Sequence, residues 1–194
     1  PGLTPEKLPA AMTQLGFEDT VEVAIGADLC TIDEAEDFIA EVPEKIPFMA
    51  TSCCPAWSMM AKKLFPERAN CISMAMTPMV LTARMIKQAN PDDRICFIGP
   101  CAAKKLEASR RSVRSDVDFV LTFEELAGMF EAKEVDFSAL EASDDLQYGT
   151  ADGRGFAVGG GVAQSVVNYI KDKYPDREVK VASAQGLADC KKML

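Results

Sequence analysis

Apolar positions along the chain fall in short blocks whose spacing switches repeatedly between a helical and a strand period. Glu6 to Leu15 is amphipathic at helical spacing and runs into Gly16, a stop signal. Val21-Glu22-Val23-Ala24-Ile25 alternates as a strand, and Thr31 is placed to cap a helix reaching about Ala40. The apolar run Pro47 to Thr51 reads as a short strand ending at Ser52-Cys53-Cys54-Pro55. Pro55 suits the first turn of a helix that continues through Ala61 to Leu64. Another helix is predicted from Pro78 to about Gln88, closed by Asn90-Pro91.

Arg94 to Ile98 reads as a buried strand that ends at Gly99-Pro100-Cys101. Val117 to Leu121 predicts a further strand, with Thr122 capping a helix from Phe123 to about Ala132. Residues 136–152 have no strong period and read as a long loop. Gly155 to Val158 predicts a short strand, Gly159-Gly160-Gly161 opens a helix to Tyr174, Glu178 to Ala184 is a last strand, and Leu187 begins a helix. The alternation gives an α/β fold of mostly parallel twisted sheets flanked by helices, joined by right-handed crossovers. Sites in such folds form beyond the carboxyl ends of strands, where both Cys53-Cys54 and Cys101 are expected. No repeat, low-complexity stretch or linker divides the chain, so residues 1–194 read as one piece of a single domain.

Composition narrows the chemistry. Hydrophobic residues make up 48% and charged residues 26% of 194, enough apolar surface for a sizeable core. No apolar run reaches membrane-spanning length, and Pro1-Gly2-Leu3-Thr4-Pro5 lacks a signal-peptide pattern, so a cytoplasmic location is expected. The net charge of -9, with basic residues interleaved among acids, argues against nucleic acid as partner. The run Arg110-Arg111-Ser112-Val113-Arg114 reads as a solvated loop. Histidine is absent, which excludes Ser-His-Asp and Cys-His catalysis and any imidazole-ligated metal. Proton transfer then falls to Cys, Asp, Glu, Lys or water. Seven cysteines in a chain without secretory features point to iron-sulfur or redox chemistry rather than a disulfide framework.

Two segments concentrate that chemistry. In Thr51-Ser52-Cys53-Cys54-Pro55-Ala56-Trp57, adjacent cysteines at a strand-to-helix turn point different ways, so one can ligate metal while the other does something else. The helix start supplies free N–H groups that favour negative charge. In Gly99-Pro100-Cys101-Ala102-Ala103-Lys104-Lys105-Leu106-Glu107, Cys101 and Lys104 stand three apart at a helix start and can reach one ligand. Any single cysteine is more often a small core residue than a ligand, but vicinal cysteines followed by Pro and Trp are much rarer.

Together these segments resemble the first two signature motifs of the iron-only hydrogenases, TSCCPxW and PCxxKxxE. Gly26-Ala27-Asp28-Leu29, the stretch Ser115 to Thr122 with Glu125-Leu126-Ala127, and Gly160-Gly161-Val162 are similar to the same family. The resemblance implies an H-cluster, a four-iron four-sulfur cubane joined through a cysteine to a two-iron centre, and reversible reduction of protons to hydrogen. By the same resemblance Cys54 and Cys101 are cubane ligands, Cys53 passes protons at the two-iron centre, and Lys104 hydrogen-bonds a cyanide there. Ser73, Glu107, Glu34 and Asp37 occupy places resembling the family's proton path. A ferredoxin-like domain or subunit is the implied electron donor.

The chain also departs from the family. The third motif, ExMACxxGCxxGG, with the remaining cluster cysteines, does not occur, so the chain reads as an internal fragment, inactive alone and missing the C-terminal part of its domain. A bare edge left there would favour self-association. Gly99 stands where the main catalytic hydrogenases carry Met, a form resembling sensory branches. A hydrogen sensor, or a relative of the iron-sulfur assembly factors that lack the two-iron centre, are the alternatives. Met59, Met60, Met74, Met76, Met79 and Met85 are expected in the core beside the site, and Cys30, Cys71 and Cys96 as buried thiols. Cys190 is expected in a structural role, and Gly159-Gly160-Gly161 in close backbone packing rather than phosphate binding.

Overall fold

The computed structural model describes residues 2–143 and 149–194, so the middle of the expected 136–152 loop lies outside the described residues. The elements run α1 (Leu8–Gln14), α2 (Ala24–Glu41), α3 (Pro55–Leu64), α4 (Pro78–Ala89), β1 (Cys96–Gly99), α5 (Ala103–Ala108), β2 (Phe119–Thr122), α6 (Phe123–Ala132), α7 (Ala151–Gly155), α8 (Gly161–Lys173) and α9 (Gly186–Met193). They divide into two compact units, residues 1–22 with 92–148, and residues 23–91 with 149–194.

In the first unit β1 and β2 pair in parallel, from Cys96 opposite Phe119 to Gly99 opposite Thr122. Asp118 fixes the start of that ladder, its carboxylate accepting from Ile95 N at 2.9 Å and from Arg94 at 2.7 Å. Thr122 then ends β2 and caps α6. Its hydroxyl accepts from Glu125 N, and the Glu125 carboxylate accepts from Thr122 N at 2.8 Å, which closes a capping box. The apolar faces of α1 and α6 meet in a core of Ala11, Met12, Leu126, Phe130 and Leu140. Phe130 and Phe137 add an edge-to-face contact at 5.2 Å.

The second unit is organised on α2. Ala24, Ala27, Thr31, Glu34 and Ala35 are buried at helical spacing, and the helix packs against α4, α7 and α8. Gly26 makes the α2–α4 crossing close, because a Cβ there would run into Thr82 Oγ1 and the Pro78 carbonyl. Ala35, Val166 and Ile170 form the α2–α8 core. Across its edge Glu36 accepts from Lys173 at 2.5 Å, Tyr174 at 2.8 Å and Tyr169 at 3.1 Å.

Every strand pairing among the described residues is parallel, as the α/β reading requires, but several local expectations change. Val21 to Ile25 is not a strand, because the buried helical stripe of α2 starts at Ala24 and absorbs its end. Thr31 lies inside that helix instead of capping it, its hydroxyl donating to the Ala27 carbonyl at 3.0 Å. Pro47 to Thr51 contributes only one parallel bridge, Ala50 with Ile72. Gly155 to Val158 is the end of α7 and a turn, with Val158 exposed. Gly160, at φ +79°, then starts α8 in a left-handed conformation that favours glycine. Glu178 to Ala184 forms no strand among the described residues. No described helix is long and apolar enough to cross a membrane.

Candidate functional site

The loop that carries Cys53 and Cys54 is pinned from four directions within the second unit. Ala50 N donates to the Cys71 carbonyl at 2.8 Å and Ser73 N to the Ala50 carbonyl at 2.9 Å. Ser52 Oγ donates to the Ser73 carbonyl at 2.6 Å, and Ser52 N points at Glu34 Oε1 at 3.5 Å. Three residues past Cys54, Trp57 reaches back so that Nε1 donates to the Thr51 carbonyl at 3.0 Å. Ser and Trp of the motif therefore have a physical reason: the Ser52 hydroxyl and the Trp57 indole fix the backbone that leads into the cysteines. Cys53 is half-buried, whereas Cys54 is exposed as the N-cap of α3, with Pro55 opening the first turn.

Beneath this loop lies Glu34, 1% exposed. Burial raises its pKa from 4.5 to about 7; the Ser52 N–H and the Ser73 hydroxyl pull it down, and Asp37 pushes it up. Oε2 has no hydrogen bond of normal geometry among the described residues. The result is a carboxyl able to take and release a proton near neutral pH, behind a cysteine loop. Ser73 is itself buried and its hydroxyl accepts from Ala75 N at 3.1 Å. Asp37, one turn along α2, is exposed.

In the first unit β1 delivers the chain through Gly99 and Pro100 to Cys101, whose exposed sulfur accepts from Ala103 N at 3.4 Å. Lys104 projects from the first turn of α5 and pairs with Glu107 at 2.8 Å, the carboxylate being 2% and the ammonium side chain 15% exposed. The ammonium also stands 6.0 Å from the centre of the Phe97 ring.

The structure thus groups Glu34, Ser73 and the Cys53–Cys54 loop in one unit, and Cys101, Lys104 and Glu107 in the other. Among the described residues no three metal-ligating side chains converge on one point. Cys54 and Cys101 are each an exposed thiol at the start of a helix, and thiolates are the donors that iron-sulfur clusters take. Of the remaining sulfur residues, Cys30 and Cys71 are buried as expected, and Cys96 is half-buried on β1, where desolvation raises its pKa. Met79 is buried, but Met74 and Met76 are not core: they are 78% and 37% exposed, with Lys62 and Arg84 beside their sulfurs. Their sequence spacing lies in an extended segment before α4, where helical periodicity has no force. Ser52 and Trp57 are site-forming residues that a search for reactive groups passes over; their place inside the motif is the signal. Phe97 carries no such signal.

Comparison with known proteins gives a consistent picture. Residues 2–194 match the family model described as iron only hydrogenase large subunit, C-terminal domain. Iron hydrogenase 1 of Clostridium pasteurianum is 32% identical over 190 residues, covering 90% of this chain and 33% of that protein. The cytosolic Fe-S cluster assembly factor NAR1 of Kluyveromyces lactis is 35% identical over 98 residues, covering 50% of this chain and 21% of that protein. Among solved structures, a variant of the FeFe-hydrogenase HydA1 from Chlamydomonas reinhardtii superposes with a TM-score of 0.72 at 26% identity, covering 88% of this chain and 47% of that one. The chain therefore spans half or less of the length of these relatives.

Proposed function

Since the chain belongs to the family of C-terminal domains of the iron-only hydrogenase large subunit, we propose that it is part of an enzyme that reversibly reduces protons to hydrogen. The observation that carries this reading is the buried Glu34 carboxyl, tuned to about 7, under the pinned loop that holds Cys53. A proton path needs groups that exchange protons at working pH, and in a chain with no histidine this carboxyl is suited to it. Glu34, Ser73 and the surface carboxylate Asp37 would carry protons between Cys53 and solvent.

Cys54 and Cys101 would be two of the four thiolates that hold a cubane, the other two coming from length that relatives have and this chain does not span. The H-cluster would supply electron storage and the site of proton reduction. Lys104 would place its ammonium against an anionic cyanide ligand, and Glu107 would hold that ammonium in position. A ferredoxin-like domain or subunit would deliver electrons, in a cytoplasmic protein. The two units would both belong to one catalytic domain.

The test is hydrogen evolution and uptake by the full-length parent, matured with the two-iron cofactor, beside Cys53→Ala. We expect turnover to fall at least about 100-fold, the scale of losing a positioned proton donor, with the carbonyl and cyanide infrared bands retained. Turnover already slow in the parent, with those bands present, would replace this reading with a hydrogen sensor. A parent without those bands would replace it with an assembly-factor relative.

A further inference from the structure

Residues 97 and 99 lie two apart on β1 and so face the same side of the strand. Gly99 is buried, and a Cβ built on it would fall 2.5 Å from Cε1 and 2.9 Å from Cζ of Phe97. No side chain fits at 99 while the ring stays where it is. The Phe97 ring therefore lies in the space that a side chain at 99 would take, immediately before Pro100 and Cys101. That placement sets the ring beneath Lys104, whose Nζ stands 6.0 Å from the ring centre while its ion pair with Glu107 measures 2.8 Å.

We propose that Phe97 is a positioning residue for Lys104, and that position 99 is glycine so that the ring can lie under the ammonium. An ion pair alone fixes one direction of the Lys104 head, because the four-carbon stem still swings around the carboxylate. The face of an aromatic ring supplies a second direction of attraction without offering a carboxylate or carbonyl acceptor that would rival an anionic ligand. Phe97 and Glu107 together thus aim the ammonium, from a strand on one side and from the next turn of α5 on the other. The inference deepens the reading of Lys104 given above and rests on it for the identity of the ligand, but the Phe97–Lys104 contact belongs to the chain itself.

The contact and its consequence are tested separately in the full-length parent. In protein not yet given its two-iron cofactor, NMR of selectively labelled lysine should show the Lys104 methylene protons shifted by the ring current. The shift should be lost in Phe97→Leu and kept in Phe97→Tyr; its absence from the parent would overturn the proposal. In matured protein, Phe97→Leu should move the cyanide infrared bands in the same direction as Lys104→Met, and Phe97→Tyr should leave them in place. Adding Phe97→Leu to Lys104→Met should move them no further. Unmoved bands in Phe97→Leu, or additive shifts in the double variant, would show that the ring merely packs the strand. A parent with no cyanide bands would instead defeat the hydrogenase reading, and the lysine signal would still decide whether the ring holds the ammonium.

Discussion

Of the three acids Glu34, Glu36 and Asp37, closely spaced on one helix, only Glu34 is removed from water. Ionising a carboxyl there forfeits hydration that the Ser52 N–H and the Ser73 hydroxyl do not replace, which is why its pKa rises from 4.5 to about 7. The sign of the consequence is set by that direction. Between the two values the folded chain holds a proton that the unfolded chain has released, so stability falls as pH rises through this window. The loss is complete above the folded value and amounts to about 3 kcal/mol at most. Glu34→Gln keeps the shape and removes the titration. Thermal unfolding from about pH 5 to about pH 8 should show the parent losing stability over that range and the variant losing less, by up to this amount. Parallel curves for the two proteins would mean that Glu34 titrates normally.

At the scale of elements, three local devices have separable costs. Thr122→Ala opens the capping box of α6 and should cost about 1 kcal/mol in denaturant unfolding. Glu125→Ala added to it should cost less than it does alone, since the two side chains form one box. Gly26→Ala forces a methyl onto the Pro78 carbonyl, which cannot rotate away, and should destabilise the α2–α4 crossing by roughly 1–3 kcal/mol. Trp57→Phe keeps an aromatic ring, though a smaller one, and removes the bond to Thr51; amide exchange at residues 51–54 should quicken by about 5-fold, as expected for losing about 1 kcal/mol. Exchange that is unchanged there would remove Trp57 from the account of the cysteine loop.

At the scale of the whole molecule, each unit has its own apolar cluster, and the family's metal chemistry asks for more thiolates than the two motifs supply. Incubating the purified chain with iron and sulfide should therefore yield no stoichiometric, stable four-iron four-sulfur absorbance. A cluster that survives gel filtration at one per chain would show that other cysteines of the chain complete the ligand set. Membership of the family and the parallel α/β class were both legible before the structure, whereas the extent of the sheet was not. Strand pairing depends on which distant segments come together, and the apolar run at Pro47–Thr51 found a single bridge while Cys96–Gly99 found a full partner.

What the sequence determined by itself was local or chemical. Prolines set the starts of α3 and α4, Thr122 and Glu125 set the start of α6, the absence of histidine confined proton chemistry to a few residue types, and the two cysteine motifs named the family. Each of these depends on neighbours within a few positions. Only the tertiary structure decided that Glu34 is buried while Glu36 faces Lys173 and the two tyrosines, that Trp57 and Ser52 clamp the cysteine loop, and that Phe97 lies over Gly99 toward Lys104. Burial and pairing are set by groups far away in the chain or by the shape of a packed interior. A periodic pattern says which side of an element turns inward, and it cannot say what that side will meet.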